Sequence, residues 1–295
     1  MKQQPPKHSK ENWGFFFAAS GILAVLLCLV VLLGRYLDTG RQEDTASQPA
    51  VAVENKATKP KRTTVQPFGI RFSSMPDFSV YRDVKKRKKA FIDYLTPIIE
   101  YQNETILFAR DRLYQIARII LSGEQLSETD LHWLQKMAEK YDVEWQEDSP
   151  GTVAVLLARR VDIIPVSLAI VQAAKESSWG RSRYAVEANN LFGQWCFEKG
   201  CGVVPAERIP GAQHEVRRYA SVNEAARSYI HNLNTHPSYK ELREIRQRLR
   251  MLNIPITGTA LAQGLLYYSE KREAYVEEVK SMIKQYRRFQ ERRTG

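Results

Sequence analysis

From Gly14 to Gly34 the chain reads GFFFAASGILAVLLCLVVLLG, without one charged side chain. At 1.5 Å per residue those 21 residues make a helix of about 31 Å, which matches a hydrocarbon core of roughly 30 Å. The competing reading is a cleaved signal peptide, whose apolar stretch usually runs ~7–15 residues and ends in a small-x-small site. Here Arg35-Tyr36-Leu37-Asp38 follows directly, and the nearest such site, Ala50-Val51-Ala52, lies too far downstream. A lipidated cysteine at Cys28 needs a small residue before it, and Leu27 stands there. The expectation is an uncleaved transmembrane anchor at 14–34. Lys2, Lys7 and Lys10 mark 1–13 as a cytoplasmic tail by the positive-inside rule. The rest is then expected on the periplasmic or extracellular side of the inner membrane.

The next stretch, 35–70, reads as a flexible linker. Between Asp38 and Pro67 it has no aromatic residue and no sustained apolar period. A solvated tether of ~30 residues spans about 30 Å as a coil and about 100 Å when extended, so its cargo can work well away from the bilayer. Composition sets further bounds. With 43% hydrophobic and 26% charged residues the chain is not disordered throughout. A mean hydropathy of −0.42 excludes a polytopic membrane protein. Three cysteines are too few for a disulfide-built scaffold, and the five histidines share no metal-motif spacing, so neither metal nor cofactor is expected. Net charge is 44 − 33 = +11. The basic runs Lys85–Lys89, Arg243–Arg250 and Arg287–Arg293 read as solvated helix faces drawn to anionic envelope polymers or lipid headgroups. An exported chain rarely meets nucleic acid, and none is expected as a partner.

The folded part reads as mostly helical, α+β. Phe91, Leu95, Ile98, Ile99, Ile106, Leu113, Ile116 and Ile120 recur at three- and four-residue steps, which predicts one long helix or two in series from Asp83, with Pro97 as a candidate kink. A second amphipathic stretch follows Ser127 as far as Tyr141, completing a helical segment at 76–145. The main domain, 146–290, opens with short helices at 152–159 and from Pro165 to about Ser177, the latter closed by Gly180. Strand formers at Phe192–Phe197 and Glu215–Tyr219, with turn signals at Lys199-Gly200 and Pro210-Gly211, predict a β-hairpin or small sheet. Ser221 and Glu224 form a capping box opening another helix. Further helices cover about 238–252, 258–266 and 270–288.

The segment Gln172-Ala173-Ala174-Lys175-Glu176 carries the sharpest chemical signal. On a 3.6-residue period Glu176 shares a small, apolar face with Gln172, Ala173 and Ala169, and it falls in the helix's last turn. Burial and the negative helix end both disfavour its ionised form. A carboxylic acid that keeps its proton near neutrality is what a glycosidic oxygen needs as a general acid.

The wider pattern resembles a known family. Glu176-Ser177-Ser178-Trp179-Gly180-Arg181-Ser182, then Asn189-Asn190-Leu191-Phe192-Gly193, is similar to the signature of the glucosaminidase-domain peptidoglycan hydrolases, glycoside hydrolase family 73. Arg218-Tyr219-Ala220-Ser221, His236-Pro237-Ser238-Tyr239 and Tyr268-Ser269-Glu270 with Tyr275 match later motifs in order, and Met75–Glu100 resembles the Bax-type branch. The resemblance implies a lysozyme-like helical domain with a small hairpin. It implies hydrolysis of the β-1,4 bond between N-acetylglucosamine and N-acetylmuramic acid in peptidoglycan glycan strands. Glu176 matches the catalytic acid and Tyr268 the active-site tyrosine. The second carboxylate is assigned to Glu207, with Glu215 and Glu198 behind it. The alternative is attack by the substrate's own acetamido oxygen.

Trp179, Asn190, Phe192, Tyr219 and Tyr239 are candidate substrate contacts, each with a core reading beside it. Cys196 and Cys201 enclose four residues near the hairpin tip, and outside the cytoplasm a disulfide is the favoured reading. Competing functions are a muralytic amidase, for which the chain lacks the usual zinc set, and a non-catalytic glycan-binding protein. Gln194-Trp195 after Phe192-Gly193, where the family more often has Ile-Lys, keeps the second open. An envelope regulator is a reasonable partner, although no motif names one.

Overall fold

A computed structural model describes residues 75–294 except 207, 209 and 210. The predicted tail, anchor and linker lie outside the described residues, as does Glu207. Among the described residues no helix is long and apolar enough to cross a membrane. The fold is mostly helical with one small sheet, consistent with a lysozyme-like α+β arrangement.

The long N-terminal periodicity forms a single helix, α1 (Val84–Leu121), and Pro97 lies inside it without ending it. Asp83 caps its start by accepting from the Lys86 N–H at 2.8 Å. Then come α2 (Glu128–Lys140), capped by Ser127, and α3 (Pro150–Arg160), with proline at its first position. Helix α4 (Val166–Glu176) is buried continuously from Leu168 to Ala174, as expected of a helix surrounded on all sides. It packs against α1 and the C-terminal helix α9 (Glu273–Thr294). The start of α8 (Gly258–Leu261) crosses it so closely that a Cβ on Gly258 would lie 2.5 Å from Ser167 Oγ. One hydrophobic cluster runs from Phe91 and Leu95 of α1 through α4 to Ile283 of α9, so the segment at 76–145 and the domain after it share a core.

Helix α4 ends one residue before its predicted stop. Ser177 caps it, and Ser178, Trp179 and Gly180 all turn with positive φ. A short helix that the periodicity does not announce, α5 (Arg183–Ala188), follows. The sheet has three strands rather than two. β1 (Trp195–Cys196) and β2 (Gly202–Val203) flank a central β3 (Glu215–Arg217), both antiparallel to it. Helix α6 (Val222–Thr235) opens at the expected box, with Ser221 accepting from the Glu224 N–H at 3.2 Å and Glu224 reaching back to the Ala220 N–H at 3.0 Å. Helix α7 (Lys240–Met251) comes next.

The basic run at Arg243–Arg250 corrects the sequence expectation of a solvated face. Arg246 is 1% exposed and Arg243 is also buried. Arg246 donates to the carbonyls of Asp162 (3.1 Å), Ile163 (2.9 Å) and Arg159 (3.0 Å) and to Asn234 Oδ1 (2.7 Å). The buried Asp162 carboxylate lies 2.7 Å from Arg250, 3.5 Å from Arg110 and 3.8 Å from Arg246. Burial alone pushes this carboxyl up, but the three guanidiniums prevail and hold it at about 2. Burial pulls Arg246 down to about 10, which still leaves it charged at neutrality. Asn103 adds a two-way bond to Ile164, donating to its carbonyl at 2.8 Å and accepting from its N–H at 3.2 Å. Asn234 of α6 also donates to the Asp162 carbonyl at 2.9 Å, so three helices, α1, α6 and α7, grip the loop before α4, and α4 carries that fixed position about 16 Å to Glu176.

Candidate active site

Glu176 is the last residue of α4 and is half-buried. Burial raises its pKa above the usual 4.5, and the effect outweighs the opposing hydrogen bond from Tyr275 and the charge of Lys175. Lys175 is itself ion-paired with Glu278 on α9. Tyr275, on the same helix, donates its hydroxyl proton to Glu176 Oε1 at 3.0 Å. Behind it the fully buried Gln172 donates from Nε2 to the Tyr275 oxygen (3.0 Å) and accepts at Oε1 from Tyr229 (2.5 Å). The chain of donors Tyr229, Gln172, Tyr275 therefore points at one oxygen of the acid. A proton carried by Glu176 sits on the other, Oε2. That oxygen faces Gly193, where a Cβ would lie 3.9 Å away and where φ is +66°.

The loop bearing Gly193 is held by Asn190. Its Nδ2 donates to the Gln194 (2.8 Å) and Arg217 (2.9 Å) carbonyls, and its Oδ1 accepts from the N–H groups of Phe192 (3.3 Å) and Gln194 (3.1 Å). Asn190 is buried, so these four bonds make it a loop fastener. The Gln194 side chain closes a ring with the hydroxyls of Tyr219 and Ser228, at 2.8, 2.9 and 3.2 Å. Phe192 is buried and stacks on Tyr229 at 4.0 Å. Tyr268 donates to the Phe192 carbonyl at 3.0 Å and stacks on Tyr275 at 5.4 Å. Burial raises the Tyr268 phenol well above its usual value, so it stays protonated. Tyr239 is buried, 6.0 Å from the Tyr268 ring, and burial raises it to about 12. An open depression of about 670 Å³ lined by Ser238, Lys240, Gln263 and Tyr267 lies beside these two tyrosines in sequence, and Glu176 is not in its lining.

The structure therefore gathers Glu176, Phe192, Tyr239 and Tyr268 into one aromatic box, with Tyr219 and Asn190 supporting its loop. Trp179 sits elsewhere: its ring meets Phe91 of α1 edge-on at 5.7 Å, with Lys88 Nζ 4.7 Å over its face. Cys196 and Cys201 form a disulfide, Cα–Cα 6.2 Å. The Glu215 carboxylate accepts from the Gly200 (3.0 Å) and Gly202 (2.8 Å) N–H groups, which lower its pKa and tie it into the hairpin. Sulfur and carboxylate atoms of Cys196, Cys201 and Glu215 cluster within 4.8 Å, but disulfide sulfurs are not thiolate ligands. Glu198 is exposed. Tyr275, Gln172 and Tyr229 are the contributors sequence reasoning missed. Tyr275 stood within a matched motif, whereas Tyr229 gave no signal.

A half-buried carboxyl with a raised pKa at a helix end, one oxygen held by a donor chain and the other open beside a glycine, has the chemistry to hold a proton near neutrality and give it to a bound group. The comparisons with known proteins agree with that chemistry. A family model described as mannosyl-glycoprotein endo-beta-N-acetylglucosaminidase, the glucosaminidase domain, matches residues 151–288. Protein bax of Escherichia coli (strain K12) is 36% identical over 207 residues, which are 69% of this chain and 71% of that protein. The chain belongs to the glucosaminidase family, in its Bax-type branch. No solved structure gives a significant match.

Proposed function

We propose that this protein hydrolyses the β-1,4 bond between N-acetylglucosamine and N-acetylmuramic acid in peptidoglycan glycan strands, with Glu176 as the general acid. The observation that carries the reading is the asymmetric carboxyl: Oε1 accepts from Tyr275, and Oε2 faces the space left by Gly193. In this reading the glycosidic oxygen approaches Oε2 and takes its proton as the bond breaks. The Tyr268 proton is committed to the Phe192 carbonyl, so its oxygen presents lone pairs that accept from the substrate's acetamido N–H. Glu215 is engaged in the hairpin, which leaves two routes to the anomeric carbon. Either Glu207, with the exposed Glu198 behind it, assists water, or the acetamido oxygen attacks.

The apolar run at 14–34 makes the enzyme a single-pass inner-membrane protein with its catalytic domain outside the cytoplasm, tethered by the linker at 35–70. Mass spectrometry of peptidoglycan digested by the full-length chain tests the bond assignment. New reducing-end N-acetylglucosamine is the expected product. Free stem peptides would indicate an amidase, and an undigested sacculus a non-catalytic glycan binder.

A further inference from the structure

The strand that leaves the site carries an aromatic surface which neither the core nor the acid uses. Trp195 is 56% exposed, and Phe197 (71%) and Val204 (47%) belong to the same small lobe. Trp195 is no loose side chain. Its residue pairs with Val216 in the sheet, the Gln194 carbonyl before it also accepts from the Arg217 N–H at 2.9 Å, and Cys196 after it is locked in the disulfide. The register opposite Val216 places His214 diagonally on the same face. The imidazole lies parallel to the indole, centroids 4.3 Å apart and planes 16° apart. One face of the ring is backed by the imidazole, and the residue as a whole stays more than half exposed. The mount begins at Gly193, beside Glu176 Oε2, and two residues of extended chain cover about 7 Å.

We propose that Trp195, backed by His214, is a stacking subsite for a pyranose ring of the glycan strand, adjoining Glu176 on the hairpin side. The proposal rests on the glycan-hydrolase reading above. A pyranose presents an apolar C–H face that matches a bare indole, while its hydroxyl and acetamido groups stay hydrated around the rim. The neighbours Glu198, Lys199 and Arg217 are exposed and charged, which suits a ring with a wet rim better than an apolar protein surface. The disulfide and the Glu215 clamp hold this ring in place before substrate arrives, so little ordering is needed on binding.

The test is calorimetric titration of full-length Glu176→Gln protein, which cannot turn over, with a hexamer of β-1,4-linked N-acetylglucosamine. Adding Trp195→Val keeps strand propensity and apolar cover over Val216 but removes the flat face. The dissociation constant is expected to rise about tenfold, or about 1.4 kcal/mol. Trp195→Phe keeps a ring and is expected to stay within about threefold of the parent. Equal affinity for Trp195→Val and the parent, equal losses for valine and phenylalanine, or no hexamer binding by the parent would each overturn the subsite. Hydrolysis by the wild type is scored separately. If it is absent while Trp195→Val still weakens binding, the catalytic reading fails and the subsite stands.

Discussion

Removing the charge of Asp162 tests how the active helix is held. Asp162 is 2% exposed and faces Arg110, Arg246 and Arg250, two of them buried as well. Its folded pKa of about 2 lies below the ordinary 3.8. At 1.36 kcal/mol per unit, that difference stabilises the folded state by about 2 kcal/mol. The depressed value fixes the sign: the contribution is complete above about pH 4 and is lost as pH falls toward 2. Asp162→Asn keeps an acceptor for the Ile163 N–H but leaves the guanidiniums without their counter-charge. Breaking a buried pair from one side costs about 3–5 kcal/mol, a large part of the roughly 5–15 kcal/mol available to a domain. Urea unfolding between pH 2 and 7 is the assay. The variant should lose 3–5 kcal/mol at pH 7 and show a shallower acid slope between pH 4 and 2. A loss under about 1 kcal/mol, or an unchanged acid slope, would refute the claim that this carboxylate anchors the loop before α4.

Other outcomes follow from the box around Glu176. Tyr275→Phe removes the donor that favours the ionised acid, so the alkaline limb of the pH–rate profile should move upward. It also strands the buried Gln172 Nε2, which should lower stability by about 1–3 kcal/mol in denaturant titration. Gly193→Ala puts a methyl 3.9 Å from Oε2 and strains a φ of +66° by about 1–2 kcal/mol. The turnover number should fall with little movement of the pH limbs, and an unchanged rate would place the substrate elsewhere. Replacing Cys196 and Cys201 by serine should destabilise by less than the ~3 kcal/mol expected for a 15-residue loop, measured by thermal melting.

Much of the helical frame is legible in the sequence because its periodicities are long and its caps are local: Asp83, Ser127 and Ser221 each mark a helix start. Glu176 is legible for a similar reason. Its small apolar face and terminal position are properties of eleven consecutive residues. Its partner is not, because the bond to Tyr275 depends on how α9 packs on α4, 99 residues later. The arginines of α7 misled because a charge run on a helix usually faces water. The carboxylate that neutralises Arg246 sits 84 residues earlier, in a loop whose sequence announces nothing. Helix α5 and strand β2 are six and two residues long, too short for a period to register. Trp179 stood inside the strongest motif, and only the fold shows its ring turned to Phe91.

The most direct measurement compares Glu176→Gln with the wild type on purified peptidoglycan, alongside their melting curves. Glutamine keeps the acceptor for Tyr275 and removes a half-buried ionisable group, so the variant should melt no lower than the parent. Clearance should drop by about 10²- to 10⁴-fold, the contribution typical of a general acid. Clearance at the wild-type rate by a folded Glu176→Gln protein would contradict the account at its centre.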